Sequence, residues 1–256
     1  MSEIILKTEG LTKHYGGVHA LEGADFEIRK GEHVAIMGDN GAGKSTFVRQ
    51  ITGVEQRTSG KIWFDGSDVD FAGPLEAREA GIETVFQNLA LADALNVPDN
   101  LFLGREIYKV KLGPFSILDY KAMREATMAS LEKTGVKIPN INNSISNMSG
   151  GQRQCVAIAR TATFHSKLTI MDEPTAALGV QETAQVENII RTLKEAGEPL
   201  ILISHNMRQV FDLVDRIVVF RRGRIVANLR KEDTSGEDVV SYITGAKTAP
   251  EYAENA

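Results

Sequence analysis

The segment 38–45, GDNGAGKS, combines three glycines with a lysine and a serine in the spacing G-x-x-x-x-G-K-S. It lies between an apolar stretch at 34–37 and a predicted helix from Thr46, and backbone N–H groups in such a strand-to-helix loop can surround phosphates. Lys44 would neutralise the β and γ phosphates of a nucleotide, and Ser45 would place its hydroxyl on Mg²⁺. The alternative is a glycine turn that serves packing alone. The predicted binding residues are Gly38, Asp39, Asn40, Gly41, Ala42, Gly43, Lys44, Ser45 and Thr46.

Two adjacent acids end the apolar segment LTIMDEP, which begins just beyond Lys167. The carboxyl ends of strands are the edge at which open α/β sheets bind ligands, so this position suits a metal site. We predict that Asp172 holds Mg²⁺ through water. Neighbouring strand residues point to opposite sides, so only one acid can face the metal, and Glu173 is the better candidate to polarise an attacking water. The alternative is a pair of surface acids.

Three further side chains stand where they can serve the same site. Gln87 follows a predicted strand at 84–86, and His205 follows one at 200–204. If these strands end at the edge that carries the phosphate loop, both side chains can reach Mg²⁺ or the γ phosphate. Tyr15, in KHYGG, can stack on a base, although an ordinary turn tyrosine explains it equally well.

A second glycine-containing helix start occurs about a hundred residues further along, in NMSGGQ at 147–152. The free backbone N–H groups at the start of a helix attract anions. One phosphate loop already surrounds the nucleotide of this chain, so the second helix start needs another target. We predict that it faces the nucleotide held by a second copy of the chain.

The elements that position these side chains are visible as changes of periodicity. The helical spacing i, i+3, i+4, i+7 occurs at 186–193 and again at 207–214, and alternating strands and helices predict a mainly parallel sheet. Between 89 and 163 the chain becomes rich in helix formers, which predicts a helical insertion into a core of 1–88 and 164–232. A C-terminal helix at 234–245 completes the predicted single domain of residues 1–246, and a mobile tail is predicted at 247–256. The predicted strands are 4–8, 24–28, 34–37, 61–64, 84–86, 168–173, 200–204, 216–220 and 225–229.

Composition excludes several classes of protein. A chain of 256 residues with 42% apolar and 25% charged residues has the composition of an ordinary folded domain. The formal charge of −5 argues against nucleic acid as a partner, since that requires concentrated Lys and Arg. Cys155 is the single cysteine and lies within an apolar helical pattern, so it is predicted to be a core residue. No apolar run approaches the roughly 18 residues of a membrane span, so contact with a membrane is expected through a partner.

Together these residues resemble the nucleotide-binding subunit of an ATP-binding cassette (ABC) transporter, over 4–229. In their order along the chain, Tyr15 resembles the adenine-stacking aromatic of that family, GDNGAGKS its Walker A loop and Gln87 its Q loop. MSGGQ at 148–152 resembles its signature motif, LTIMDEP its Walker B strand and His205 its switch histidine. The signature motif is nearly specific to this family, whereas the Walker A and Walker B motifs occur in many P-loop proteins.

The resemblance implies a fold and a mode of action. The fold is α/β: a RecA-like P-loop ATPase core with an antiparallel β subdomain and an inserted helical subdomain. ATP and Mg²⁺ are the implied cofactors, with Lys44, Glu173 and His205 catalytic and with Ser45, Gln87 and Asp172 at the metal. Two copies would enclose ATP between the Walker loop of one and Ser149, Gly151 and Gln152 of the other. Permease subunits are implied at the cytoplasmic face of the membrane, with a solute-binding protein as an indirect partner.

Two positions depart from the family pattern, namely Met148 in place of leucine and Gly179 in place of the D-loop aspartate. The first is an apolar exchange of little consequence, whereas the second puts in doubt how that loop couples the two sites. GDNGAGKS and DEPTAALGVQE look most like the branch that imports monosaccharides, such as fructose or a related pentose or hexose.

Other classes of ATPase remain as alternatives. A soluble ABC-type ATPase acting on ribosomes or DNA would share these motifs, but it is expected to show two cassettes or long heptad repeats. A small-molecule kinase would use the phosphate loop, yet would leave Glu173 and the second glycine helix unexplained. The motifs alone do not separate import from export. The apolar segment at 88–104 either binds a permease helix or packs inside the helical insertion.

Overall fold

The computed structural model describes residues 3–164 and 166–247. Apart from Lys247, the predicted tail at 247–256 lies outside the described residues. None of the helices formed by the described residues has both the length and the apolar character needed to cross a membrane.

Within the described residues, the chain separates into two compact units. Of the described residues, the first unit comprises 3–84, Lys167–Glu173 and 194–247, and the second comprises 85–164, Ser166 and Pro174–Leu193. The boundaries predicted for the helical insertion, at 89 and 163, remain a prediction.

The strands and the α-helices are numbered separately, each in chain order. The strands are β1 Ile4–Tyr15, β2 Val18–Arg29, β3 His33–Met37, β4 Ser59–Phe64, β5 Ser67–Asp68, β6 Ile82–Val85, β7 Tyr108–Val110, β8 Ile117–Leu118, β9 Leu168–Asp172, β10 Leu200–Ile203, β11 Arg216–Arg221 and β12 Arg224–Arg230. The α-helices are α1 Lys44–Ile51, α2 Pro74–Ala80, α3 Val97–Phe102, α4 Tyr120–Lys133, α5 Gly150–Thr163, α6 Val180–Glu195, α7 Met207–Leu213 and α8 Gly236–Thr244.

The larger sheet brings the ends of three central strands to one edge. Its order is β12-β11-β3-β10-β9-β6, and β10 lies parallel to both β3 and β9. Ile203 pairs with Ile36 on one side and with Asp172 on the other. The residues that follow β3, β9 and β10 therefore leave the sheet together, as expected for parallel strands. A second, antiparallel sheet has the order β2-β1-β4-β5, so the predicted α/β class with an antiparallel β subdomain is confirmed.

The core of the first unit holds α1 against the sheets. Phe47 of α1 is fully buried, and its ring lies between those of Phe26 and Phe220, with centroids 5.2 and 5.4 Å away. Burying a phenylalanine in this way typically contributes about 3 kcal/mol or more to stability. The start of α1, which carries Lys44 and Ser45, is thereby fixed relative to β2 and β11.

In the second unit, helices α3, α4 and α5 pack against one another. Asn100 of α3 is fully buried, and its side-chain amide donates to the carbonyls of Ala92, Leu95 and Asn96. Ser130 of α4 donates its hydroxyl proton to the Ala159 carbonyl of α5, at 2.9 Å. These buried polar contacts order the loop before α3 and join α4 to α5.

Several predicted element boundaries were wrong. β1 continues to Tyr15 rather than ending at residue 8, because Gly16 and Gly17 form a tight turn that lets it pair with β2 to its end. β6 spans Ile82–Val85, so it begins two residues before the strand that was predicted at 84–86. The antiparallel hairpin of β7 and β8 lies in the region that was predicted to be helical. The sequence of β7, YKV, alternates between apolar and polar residues, but three residues are too few for this pattern to outweigh the surrounding helix formers in a prediction.

Candidate functional site

In the loop 38–45, two glycines lie where a side chain would collide with neighbouring backbone atoms. Gly38 has φ 148°, and a Cβ atom there would lie 2.2 Å from the Phe220 carbonyl oxygen. Gly43 has φ 104°, and its Cβ would lie 2.9 Å from the Ala20 carbonyl oxygen. The loop is further held by the Gly223 N–H, which donates to the Ala42 carbonyl at 2.9 Å. Only glycine fits at these two positions, because a Cβ atom at either would collide with a backbone carbonyl of a neighbouring segment.

Lys44 is almost fully buried at the first position of α1, with 7% of its surface exposed. Its ammonium donates to the carbonyls of Gly38, at 2.6 Å, and Asp39, at 2.9 Å. Burial lowers the pKa of Lys44, while the carboxylates of Glu173 and Asp172 act in the opposite direction. The Lys44 ammonium is therefore held by the backbone of the loop and is stabilised electrostatically by Asp172 and Glu173, the two acids predicted for this site. Ser45 and Thr46 follow it on α1, with Ser45 exposed.

Asp172 is the last residue of β9 and is half-buried. Burial raises the pKa of its carboxyl, the neighbouring Glu173 raises it further, and the Lys44 ammonium partly opposes both. A carboxylate that is costly to ionise in this way gains most from a nearby cation. Together with the Ser45 hydroxyl it offers the hard oxygen ligands that suit Mg²⁺.

Glu173 lies outside the strand, in the left-handed region of the backbone with φ 49°. Its N–H donates to the Ile203 carbonyl at 2.9 Å, which ties it to β10. Glu173 has therefore already left the strand, and the predicted alternation of the two acids as neighbouring strand residues was wrong. Non-glycine residues with positive φ are uncommon and concentrate at functional sites.

His205 lies beside Glu173, and its Nε2 is 2.7 Å from the Glu173 Oε1. His205 follows β10 by two residues, and Glu173 directly follows β9, so the parallel pairing of the strands explains their approach. His205 is 46% exposed and Glu173 is 24% exposed, which leaves both accessible to a substrate. The structure thus brings together two of the residues predicted from the sequence.

Tyr15 ends β1 with 43% of its surface exposed. Its hydroxyl donates to Glu55, and the Lys13 ammonium lies 5.1 Å from the centre of its ring. Burial and the contact with Glu55 raise the pKa of Tyr15. Glu55, which also pairs with Arg49 at 3.1 Å, was not predicted, and no signal in the sequence marks it. The ring is held at one end, with a surface available for stacking.

The signature segment in the second unit forms a helix start with a capping box. The Ser149 hydroxyl accepts from the Gln152 N–H at 3.2 Å, and the Ser149 N–H donates to the Gln152 side-chain oxygen at 3.0 Å. The N–H groups of Gly150 and Gly151 belong to the first turn, which has no partners within the helix. Cys155, further along α5, is buried, and burial raises its pKa to about 11. It is a core residue, as predicted.

Glu182 on α6 is a contact of the signature helix that the sequence analysis missed. A Cβ atom at Gly151 would lie 2.1 Å from the Glu182 Cγ, and one at Gly179 would lie 2.5 Å from the Glu182 Oε2. The side chain of Glu182 thus occupies the space beside both glycines. Gly179, which departs from the family pattern, therefore lies against the Glu182 carboxylate. The spacing of residues in the sequence does not predict this contact.

The segment that begins at Gln87 is mixed in its burial. Gln87 is exposed and lies two residues beyond β6, in the second unit. Leu101 and Phe102 are buried, as packing inside the helical region requires, while Leu103 is 46% exposed. Near the start of the segment, Arg160 donates to the carbonyls of Leu89 and Ala90. The packing alternative therefore holds for Leu101 and Phe102.

The parallel sheet, the glycine loop before α1 and the acids at the end of β9 define a P-loop nucleotide-binding domain. The family profile described as ABC transporter matches residues 21–176, which is more than half of the chain. The chain belongs to the ABC transporter family, as its ATP-binding cassette.

Individual relatives agree with this assignment. The chain is 48% identical to the fructose import ATP-binding protein FrcA of Rhizobium meliloti, over 98% of both proteins. It is 42% identical to the xylose/arabinose import ATP-binding protein XylG of Sulfolobus acidocaldarius, over 94% of both. Among solved structures, the ADP conformation of MJ1267, an ATP-binding cassette of an ABC transporter, is 26% identical with a TM-score of 0.79, over 99% of this chain and 98% of that one.

Proposed function

We propose that this chain is the ATP-hydrolysing subunit of an importer that takes up a monosaccharide through a separate membrane permease. The similarity to FrcA over 98% of both chains supports this most directly, because that relative is named as a fructose import ATP-binding protein. XylG, named for xylose and arabinose, supports the broader class of monosaccharides. Fructose or a related pentose or hexose is the proposed solute.

The first unit supplies the groups that hydrolysis needs. Lys44 binds the β and γ phosphates of ATP, and Tyr15 stacks on the adenine. Ser45 and Asp172 are the residues of this unit that would hold Mg²⁺, which when bound neutralises charge on the phosphates. Gln87, which belongs to the second unit, stays a predicted ligand. The contact between Glu173 and His205, at 2.7 Å, carries the catalytic assignment. Glu173 accepts a proton from the attacking water while His205 orients its carboxylate.

A second copy of the chain completes the site in this proposal. Ser149, Gly151 and Gln152 of one copy face the γ phosphate that the Walker loop of the other copy holds, across a two-fold interface. The N–H groups in the first turn of α5 suit an anion. ATP binding closes the pair and hydrolysis opens it, and the permease uses that motion at the cytoplasmic face of the membrane. A solute-binding protein would deliver the sugar to the permease, and nucleic acid has no role.

Complementation between two inactive chains tests the shared site. Lys44→Ala and Ser149→Arg proteins are each expected to lack ATPase activity, while a mixed dimer contains one site with neither defect. Some activity should therefore return in verified heterodimers, measured as phosphate release with Mg²⁺ present. A Ser149→Arg protein that is fully active alone would contradict the shared site.

Transport needs a separate test. Deletion of the chain in its host should abolish uptake of one labelled monosaccharide, and the Glu173→Gln variant should fail to restore it. Normal uptake of fructose, ribose and xylose in the deletion strain, together with copurification of the chain with ribosomes, would favour the alternative of a soluble ABC-type ATPase.

A further inference from the structure

His14 and His19 face each other across the hairpin of β1 and β2. They are paired in the register of the two strands, next to the turn at Gly16 and Gly17. Their rings are stacked, with centroids 3.9 Å apart and planes inclined by 23°. Strand pairing thus fixes two imidazoles side by side.

A β-bulge adds a carboxylate to this pair. Lys13 pairs with Leu21 while His14 pairs with His19, so Ala20 is an extra residue in β2. Residues three apart on a regular strand point to opposite faces, but one extra residue between them brings them to the same face. Glu22 therefore lies on the side of His19, and its N–H donates to the Gly223 carbonyl at 2.8 Å, which anchors the strand there.

One oxygen of Glu22 contacts both rings. Its Oε2 lies 3.0 Å from the His14 Nε2 and 2.8 Å from the His19 Nδ1. The three atoms lie within 4.8 Å of one another. Contacts with His14 and His19 lower the pKa of Glu22, so the group is a carboxylate at neutral pH. His14 and Glu22 are partly covered and His19 is 62% exposed, which leaves one side open to solvent.

We propose that His14, His19 and Glu22 form a binding site for a divalent transition metal ion, of which Zn²⁺ is the clearest representative. Two imidazole nitrogens and one carboxylate oxygen are ligands that Zn²⁺ prefers, whereas Mg²⁺ prefers oxygen alone. Ligands about 2.1 Å from a tetrahedral ion stand roughly 3.4 Å apart, so the contacts need to widen by about half an ångström. Rotation of three surface side chains provides this, and water takes the fourth position.

The protons balance in this exchange. With metal bound, each ring carries its proton on the nitrogen that faces away from the ion, so His14 Nε2 and His19 Nδ1 each offer a lone pair. Zn²⁺ thus replaces two hydrogen bonds by three coordinate bonds.

The site is built into the support of the nucleotide residues. Tyr15 directly follows His14, and the carbonyl of the bulged Ala20 lies against Gly43 of the phosphate loop, where a Cβ would be 2.9 Å away. A bound ion would fix the hairpin between these two points. The proposal does not depend on the identity of the transported solute.

Calorimetric titration of ZnCl₂ into the nucleotide-free protein tests the site. The His205→Ala variant is the background, because it removes the contact with Glu173 as a competing metal site. In that background we expect one Zn²⁺ per chain at His14, His19 and Glu22. His14→Ala, His19→Ala and Glu22→Gln should each weaken it at least about tenfold. His19→Cys should retain binding, since a thiolate also binds Zn²⁺. Glu27→Gln, which alters a carboxylate on the same strand outside the cluster, should leave binding unchanged.

Two results would overturn the proposal. Zn²⁺ binding that is absent from the background protein, or unchanged in His14→Ala, His19→Ala and Glu22→Gln, would show that these residues hold no ion. Zn²⁺ affinity in His19→Ala equal to that of the background would show that His19 does not act as a ligand. Circular dichroism of each variant, which should match the background, separates these outcomes from loss of the fold.

Discussion

His205 Nε2 lies 2.7 Å from Glu173 Oε1, and the two side chains leave the sheet from adjacent parallel strands. The imidazole therefore fixes the orientation of the carboxylate that we assign as the base. In ATP turnover, Glu173 would accept the proton of the attacking water and His205 would position Glu173.

Glu173→Gln should lower the kcat for ATP hydrolysis at least about 100-fold, because the amide is nearly isosteric but accepts no proton at neutral pH. His205→Ala should lower kcat less, by roughly 10- to 100-fold, because Glu173 remains but loses its orientation. Both variants should bind a fluorescent ATP analogue within a few-fold of the wild type, measured by anisotropy. Wild-type turnover in Glu173→Gln would show that another group is the base.

The backbone of Glu173 leads to a prediction about stability. At φ 49° a residue with a Cβ atom is strained, whereas glycine is not. Glu173→Gly should therefore be more stable than Glu173→Ala by about 1 kcal/mol, the reverse of the order found in ordinary helices and strands. Both variants lack the contact with His205, so their difference isolates the backbone. Urea unfolding measures it, and an alanine variant of equal or greater stability would argue against strain at this position.

The sequence was sufficient for the residues at the edge of the parallel sheet. Lys44, Asp172 and His205 each follow an apolar segment, and parallel strands that are buried on both faces end at a common edge. The order of these segments therefore predicted that Glu173 and His205 would lie at the same edge of the sheet. Their exact contact depends on the turn after β9, where Glu173 adopts a conformation that its residue type disfavours.

Contacts between side chains distant in sequence were not predictable in the same way. Glu182 packs beside Gly151 and Gly179 only because α5 and the start of α6 come together, which no spacing in either segment shows. The bulge at Ala20 shifts the face of Glu22 by one residue, and β-bulges lack a strong sequence signal when they contain no glycine. Periodicity predicts the faces of regular elements, and these features depart from regularity.

The position of Glu182 predicts how the second unit responds to an aspartate at residue 179. Gly179→Asp places a second carboxylate beside the Glu182 Oε2, where even a Cβ atom would approach to 2.5 Å. We expect a loss of about 0.5 kcal/mol in unfolding free energy at low salt, since like charges at this spacing repel. The loss should be smaller in Gly179→Asn, which has nearly the same shape.

Glu182→Gln supplies the matching control. In a double-mutant cycle, it should remove most of the penalty of Gly179→Asp, and raising the salt concentration should have a similar effect. Guanidinium chloride would screen the interaction, so unfolding is measured in urea. A penalty of equal size in the Glu182→Gln background would mean that the repulsion involves a different group.

The last prediction concerns the pH dependence of stability at Asp215. Its carboxylate accepts from the Lys194 ammonium at 2.7 Å and from the His33 N–H at 3.0 Å. Burial raises the pKa of Asp215, but these two donors prevail and hold it below its usual range. As pH falls, the unfolded chain therefore takes up this proton before the folded chain does. The stabilisation is complete above about pH 5 and is lost as the pH falls through the lowered pKa of the folded state.

Asp215→Asn should therefore destabilise the protein by about 1 kcal/mol at pH 7, a modest value because the side chain is 45% exposed. The difference from wild type should shrink steadily between pH 5 and pH 3, measured by urea unfolding at several pH values. Lys194→Met removes the principal donor and should weaken the pH dependence in the same window. If the difference between Asp215→Asn and wild type were constant over this range, the ionised form of Asp215 would not be the source of the stabilisation, and its contribution would rest on hydrogen bonds that an amide can also make.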